Sequence, residues 1–262
     1  MCTNPRIRNF VASIGLVPIT QVSETDIFIV GYPKSGNTWF QNLVCSVNFG
    51  VHPEFTPDKL IQDLVPDVHA QSYYKRYEAQ TFFKTHHLPR EEHRRVIYLL
   101  RDGRDVMVSY FHFKNALRDI NNTLRGNKNA LSGNTINLFE FIRDQGNLLP
   151  LKWHEHVEAW LSNPYHAEII TIKYEDLKTN PLHEMKRFCE FVHLDRSEEF
   201  IRGAIERCSF ENMQRQERTA WPSDKLFVRR GEIGSFRDEM PPDALRLFLS
   251  EAGQTLLKVG YL

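Results

Sequence analysis

Short apolar runs alternate along this chain with apolar residues at helical spacing. Residues 27–30 (IFIV) and 96–100 (VIYLL) are continuous apolar runs, as expected for strands buried on both faces of a parallel sheet. Residues 81–84 and 169–173 are two further strand candidates. After the first strand, apolar residues recur at helical intervals, which predicts a helix there.

Further amphipathic segments predict helices at 104–116, 151–162 and 181–192, and Ser197 followed by two glutamates indicates another helix start. Strands separated by helices indicate βαβ units. The sequence therefore predicts an α/β fold with a P-loop-like, mainly parallel sheet flanked by helices on both faces.

Two segments lack this periodicity. Residues 115–137 are rich in Asn, Gly and Ser, and residues 214–240 are irregular, so both are predicted to be mobile loops. No Pro/Gly linker separates two apolar cores. We therefore predict a single domain over residues 1–262.

Composition narrows the possible partners. Of the 262 residues, 41% are hydrophobic and 25% charged, and 33 basic residues balance 33 acidic ones. A nucleic-acid-binding protein usually carries a basic excess, so no nucleic-acid partner is predicted. The four cysteines are scattered, residues 1–20 lack the apolar block of a signal peptide, and no run approaches the ~20 apolar residues of a membrane span. These features predict a cytoplasmic protein without a membrane span.

The first strand runs into GYPKSGNT, residues 31–38. This spacing matches a phosphate-binding loop, in which backbone N–H groups and a helix N-terminus face an oxyanion. Lysine usually follows the second glycine, but that position holds Asn37 and the lysine is Lys34. A glycine needed only for a tight strand-to-helix turn is the alternative interpretation.

The strand VIYLL is followed by Arg101, where a P-loop nucleoside triphosphatase would have a magnesium-binding aspartate. A cation at this place indicates a second anion-binding point. An ion pair of Arg101 with Asp102 or Asp105 is an equally good interpretation of this residue alone.

The stretch TFFKTHHLP, residues 81–89, contains candidate catalytic groups. Side chains two apart on a strand share a face, so Lys84 and His86 point the same way if the strand extends that far, and His87 points the other way. Lysine can stabilise charge on a transferred group while a neutral imidazole accepts a proton. Surface histidines without a catalytic role are the alternative.

Several stretches together resemble the cytosolic-type sulfotransferases, which use 3′-phosphoadenosine 5′-phosphosulfate (PAPS) as donor. The matching blocks occur in the family's order: YPKSGNTW (32–39), KTH (84–86), LLRDGRDVMVSYFHF (99–113), KYEDLKTNP (173–181), CSFENM (208–213) and FVRRGEIGSF (227–236).

The resemblance implies a role for each matching residue. The 5′-phosphosulfate loop would be Lys34, Ser35, Gly36, Asn37 and Thr38. Contacts to adenine would come from Trp39, Tyr174, Ser209 and Phe210. The 3′-phosphate would lie against Arg101, Ser109, Arg229, Arg230 and Gly231. His86 would be the general base, with Lys84 and Lys34 neutralising charge on the transferred group.

The implied reaction is transfer of a sulfuryl group to a hydroxyl or amine of a small-molecule acceptor. It would leave adenosine 3′,5′-bisphosphate and would require no metal. The chain departs from the family at Asn37, where threonine is usual, and at Ser235 and Phe236, where the last block usually ends in Asp-Trp. No clear copy of the family's dimerisation motif is present, so the oligomeric state stays open, as does the acceptor.

Two rival functions have their own expectations. A P-loop kinase would need Asp102 or Asp105 to hold Mg²⁺ and would bind ATP. A nucleotide-binding scaffold would bind the bisphosphate but transfer nothing. The combination of Lys34, Lys84 and His86 favours the enzyme.

Overall fold

The computed structural model describes residues 13–124, 137–144, 151–220 and 230–262. Its strands are β1 Leu16–Pro18, β2 Ile27–Gly31, β3 Tyr73–Lys75, β4 Phe82–Thr85, β5 Arg95–Leu100 and β6 Glu168–Lys173. The α-helices of the described residues are α1 Asn37–Phe49, α2 Asp58–Leu64, α3 Gly103–Leu124, α4 Leu138–Asp144, α5 Trp153–Ser162, α6 Tyr174–Thr179, α7 Pro181–Phe191, α8 Glu198–Arg207, α9 Phe210–Ala220, α10 Phe236–Glu239 and α11 Pro242–Lys258.

The chain forms two compact units. The first comprises residues 1–31, 36–99 and 163–209, and the second comprises residues 32–35, 100–162 and 210–262. The strands and the helices α1, α2, α6, α7 and α8 belong to the first unit, and the remaining helices belong to the second.

A four-stranded sheet in the order β4-β2-β5-β6 forms the centre of the first unit. Strand β2 is parallel to both neighbours, with Val30 opposite Thr85 and Gly31 opposite Leu99. All five residues of β2 are buried, which explains its uninterrupted apolar sequence. Strands β2, β4 and β5 therefore end at the same edge of the sheet.

Helix α1 packs its apolar stripe into the core of the first unit. Phe40, Leu43, Val44 and Val47 are all completely buried there, together with residues of β2, β5, α7 and α8. The helix predicted after the first strand is therefore confirmed. The fold is a mixed α/β one with a central parallel sheet flanked by helices, as predicted.

The second unit is helical in its described part. At the start of α3, a Cβ on Gly103 would lie 2.5 Å from Trp153 Cδ2 and 2.7 Å from Phe248 Cζ. Those rings belong to α5 and α11, so only glycine allows α3 to begin this close to them. Both aromatic side chains are almost fully buried, and this contact holds the start of α3 against α5 and α11.

The predicted loops need correction. Helix α3 continues to Leu124 and α9 to Ala220, so the segments expected to be irregular from 115 and 214 begin as helix. Apolar residues at 106, 110, 113, 117, 120 and 124 keep helical spacing through the Asn-rich stretch. Residues 125–136 and 221–229 lie outside the described part, and the single domain stays a prediction. Over the described ranges, no helix combines the length and apolarity that crossing a membrane requires.

Replacing Asp26 with alanine is expected to destabilise the protein by about 3 kcal/mol. The Asp26 carboxylate is buried and accepts hydrogen bonds from the backbone N–H groups of Ser23 and Thr81 at 2.6 and 2.9 Å. Arg76 also donates two bonds to it, at 2.8 and 2.7 Å. The substitution leaves these donors without their acceptor. Urea unfolding of both proteins measures the loss, and equal stability would contradict it.

Candidate active site

The predicted anion loop enters α1 through a left-handed residue. Gly36 has φ 94° and is the N-cap of α1, and a Cβ there would lie 2.8 Å from Tyr174 Cδ2. Glycine is therefore required both by the backbone and by the close tyrosine ring. No side chain of the described residues caps this helix start, and its first turn carries no acidic residue. The N–H groups of Asn37 and Thr38 thus begin a helix whose N-terminus is suited to an anion.

Three of the four predicted adenine contacts come together in the first unit. The Trp39 and Tyr174 rings meet edge to face with their centroids 5.7 Å apart. Trp39 Nε1 donates to the carbonyl of Cys208 at 2.9 Å, the residue before Ser209. Trp39 and Ser209 are half-buried and Tyr174 is buried.

His86 lies at the sheet edge where β2 and β4 end. Its Nδ1 is 2.6 Å from the carbonyl oxygen of Gly31. A carbonyl can only accept, so Nδ1 carries the proton and Nε2 keeps its lone pair. Burial lowers the pKa of His86 to about 4. The imidazole is therefore neutral at physiological pH and can accept a proton at Nε2.

Lys84 has a partner that the sequence did not suggest. Its Nζ forms an ion pair with Asp67 Oδ2 at 2.9 Å, and both side chains are almost buried. Asp67 joins β4 through an isolated parallel bridge, seventeen residues away in sequence. No local motif indicates such a contact, so only the register of the two segments could have identified Asp67.

Strand alternation was expected to distinguish the two histidines only if the strand reached them, and this condition is not met because β4 ends at Thr85. Ring contacts distinguish them instead. The His87 ring packs 4.5 Å from that of His69 and 6.5 Å from that of His93. Burial lowers the pKa of His87 to about 4 as well, so its protonation state does not separate it from His86.

In the second unit, Arg101 links two backbone segments. Its guanidinium donates to the carbonyl oxygens of Lys34 and Glu232, both at 3.1 Å, and the residue is buried. Lys34 has φ 72°, and its Nζ lies 4.4 Å from the centroid of the Phe113 ring. The adjacent Ser35 Oγ is buried and has no hydrogen-bond partner among the described residues. A buried hydroxyl of this kind would be satisfied by an anionic ligand.

Both aspartates that follow β5 have structural partners. Asp102 accepts three hydrogen bonds from the Arg104 guanidinium, at 2.9, 3.2 and 2.7 Å. Asp105 accepts from the backbone N–H groups of Gly234 and Phe236, at 2.6 and 2.9 Å. Within the described ranges, no group of three or more His, Cys, Asp or Glu side chains could hold a metal ion. Asp105 thus anchors the segment that contains Ser235 and Phe236, the two residues that depart from the ending implied by the resemblance.

The remaining predicted 3′-phosphate residues are only partly described. Arg229 lies outside the described residues. Arg230 is exposed and its Nη1 lies 3.3 Å from Glu239 Oε1. Gly231 has φ 60°, and a Cβ there would overlap the ring of Phe210. Ser109 lies half-buried in the second turn of α3. Their roles stay predictions.

Comparison with known proteins identifies related chains across most of this sequence. The family model described as the sulfotransferase domain matches residues 24–258. Sulfotransferase 1B1 of Mus musculus is 28% identical over 260 residues, covering 89% of this chain and 83% of the relative. Cytosolic sulfotransferase 8 of Arabidopsis thaliana is 29% identical, with coverage of 85% and 74%. The amine sulfotransferase of Oryctolagus cuniculus is 24% identical, with coverage of 84% and 77%.

Solved structures share the fold. Retinol dehydratase, solved with androsterone and the inactive cofactor PAP, has a TM-score of 0.65 at 20% identity, covering 90% of this chain and 82% of that one. Mouse sulfotransferase SULT7A1, solved with PAP, has a TM-score of 0.61 at 19% identity, with coverage of 90% and 86%. Since the family model spans nearly the whole sequence, this chain belongs to the sulfotransferase family.

Proposed function

We propose that this sulfotransferase transfers a sulfuryl group from PAPS to a hydroxyl or amine of a small-molecule acceptor, with His86 as general base. The observation that carries the proposal is the 2.6 Å contact of His86 Nδ1 with the Gly31 carbonyl. It leaves Nε2 as the proton acceptor at the end of the strand that precedes the anion loop.

The residues present fit the donor. The start of α1, with Asn37 and Thr38 in its first turn, offers backbone N–H groups to an anion. The buried hydroxyl of Ser35 lacks a partner among the described residues, and a phosphate or sulfate oxygen would supply one. Lys34 and Arg101 would add cations, and a ligand oxygen at Arg101 could replace a backbone carbonyl.

When bound, the donor supplies an electrophilic sulfur. His86 Nε2 takes the proton of the attacking hydroxyl or amine as the new bond to sulfur forms and the bond from sulfur to the phosphate oxygen breaks. Lys34 and Lys84 offset the charge that develops on the transferred group and on the leaving phosphate. The negative charge of the donor near His86 would also raise the pKa of its imidazole, making it a stronger base in the complex.

The acceptor is proposed only as a class. One related protein is named for amine sulfation, and retinol dehydratase has been solved with androsterone or retinol. Small organic molecules with one hydroxyl or amine are therefore the first candidates for this chain. A cytoplasmic location would suit them, and the oligomeric state is left open.

Thermal-shift measurements test the proposed donor. Saturating adenosine 3′,5′-bisphosphate without Mg²⁺ should raise the melting temperature by about 5 °C or more. AMP, ADP and ATP should each give a smaller rise, because each lacks the 3′-phosphate. A larger rise with ATP and Mg²⁺ would favour a kinase and contradict the proposal. Binding of the bisphosphate without transfer of ³⁵S from PAPS to any phenol or amine in a broad panel would identify a scaffold without activity.

A further inference from the structure

The segment 66–69 runs beside β4 in the first unit. The Lys84 N–H donates to the carbonyl of Pro66 at 2.8 Å, and the Val68 N–H donates to the carbonyl of Lys84 at 3.0 Å. Both backbone groups of Lys84 are therefore bonded to this segment. The segment extends the sheet locally at the residue that carries the proposed catalytic lysine.

The carboxylate of Asp67 fixes the end of the Lys84 side chain. Asp67 Oδ2 lies 2.9 Å from Lys84 Nζ, with the two side chains 13% and 10% exposed. Asp67 Oδ1 accepts the His69 backbone N–H at 2.9 Å. Burial opposes ionisation of Asp67, but the Lys84 ammonium outweighs it and lowers the pKa of the carboxyl. The carboxylate is thus ionised at neutral pH, and its contact with Nζ gives the long lysine side chain one favoured position.

The imidazole of His69 fixes the backbone of His86. The His86 N–H donates to His69 Nε2 at 2.9 Å, and the two rings stack with centroids 5.3 Å apart at 18°. A backbone N–H can only donate, so His69 Nε2 is unprotonated. Although the residue is exposed, desolvation of its ring lowers the pKa of His69, which agrees with the neutral ring that this hydrogen bond requires. His86 is therefore held at its backbone by His69 and at its Nδ1 by the Gly31 carbonyl.

We propose that Asp67 and His69 are positioning residues for sulfuryl transfer: Asp67 orients the Lys84 ammonium, and His69 orients the His86 imidazole through its backbone. This inference rests on the proposed roles of Lys84 and His86. Neither positioning residue takes up the acceptor's proton. Their contribution is to hold the cation and the base at fixed places before substrate binds.

The charges of Asp67 and Lys84 should change the pKa of His86, and a purely structural role of Asp67 would not produce that effect. Within the first unit, the charged and titratable groups that act on His86 are Lys84, His69 and Asp67, besides the Gly31 carbonyl. The Lys84 ammonium lowers the pKa of His86 and the Asp67 carboxylate raises it. Removing the carboxylate charge should lower the pKa of the base, and removing the ammonium should raise it.

NMR titration of the histidine Cε1–H signals in the ligand-free protein measures this directly, with His86→Gln identifying the His86 signal. Asp67→Asn should lower the pKa of His86 by about half a unit, and Lys84→Met should raise it by a similar amount. The double variant should return close to the wild-type value. Titration needs no acceptor, so it tests the coupling even if no sulfuryl transfer is found. An unchanged pKa in both single variants would overturn the inference for Asp67.

A kinetic series tests His69 with a simple phenol as acceptor and ³⁵S-labelled PAPS as donor. His69→Ala should lower kcat about tenfold with little change in KM for PAPS. His69→Gln should recover most of the loss, because its amide oxygen can accept the His86 N–H. Equal losses in the two variants, or no loss in either, would overturn the positioning role. Failure of the wild-type protein to transfer the labelled sulfuryl group would instead count against the proposed function.

Discussion

Replacing His86 with alanine is expected to lower turnover by about 100-fold or more while leaving the affinity for adenosine 3′,5′-bisphosphate nearly unchanged. The imidazole is neutral because burial lowers its pKa to about 4, and its Nδ1 is committed to the Gly31 carbonyl. Alanine removes the proton acceptor but none of the predicted nucleotide contacts. Steady-state rates with a saturating phenol acceptor, together with calorimetric titration of the bisphosphate, measure the two effects separately.

The adjacent His87 provides the matched control. Its ring packs on His69 and His93, and its backbone N–H donates to Thr85 Oγ1 at 3.1 Å. Alanine at 87 removes an imidazole of similar pKa from the neighbouring position, and turnover should stay within about threefold of the wild type. The opposite outcome, a large loss at 87 and a small one at 86, would move the base assignment to His87.

Local sequence signals predicted the elements that carry the site. The apolar runs at 27–30 and 96–100 became β2 and β5 because a strand buried on both faces admits no polar alternation. The end of α3 was misplaced because the Asn, Gly and Ser of residues 115–137 suggested a loop. Propensity is a weak guide where an apolar stripe continues at helical spacing.

Partners distant in sequence could not be predicted in the same way. Asp67 meets Lys84 only because segment 66–68 pairs in parallel with β4, and one sequence does not fix that register. Asp105 was considered as a possible magnesium ligand from its place after β5. In the structure its carboxylate instead accepts N–H groups of Gly234 and Phe236, a use that depends on a turn more than 120 residues away along the chain.

Replacing Lys34 with methionine is expected to lower turnover by about 100- to 1,000-fold, a loss like that of one donor to a developing anion. Lys34 lies in the predicted anion loop with φ 72°, and its Nζ lies over the Phe113 ring at 4.4 Å. Methionine keeps an unbranched apolar side chain for that ring contact and removes only the charge. The melting temperature should therefore change little, because lysine and methionine are equally strained in the left-handed backbone conformation.

The decisive comparison for the Lys34→Met variant is between its loss of affinity for the bisphosphate and its loss of kcat. If its ammonium mainly offsets charge that grows as the bond from sulfur to the phosphate oxygen breaks, kcat falls far more than affinity for the bisphosphate. Lys59→Met makes the same chemical change at an exposed position on α2 and should leave both quantities unchanged. Loss of affinity with normal kcat would make Lys34 a binding residue only. Normal values of both would exclude Lys34 from the proposed site.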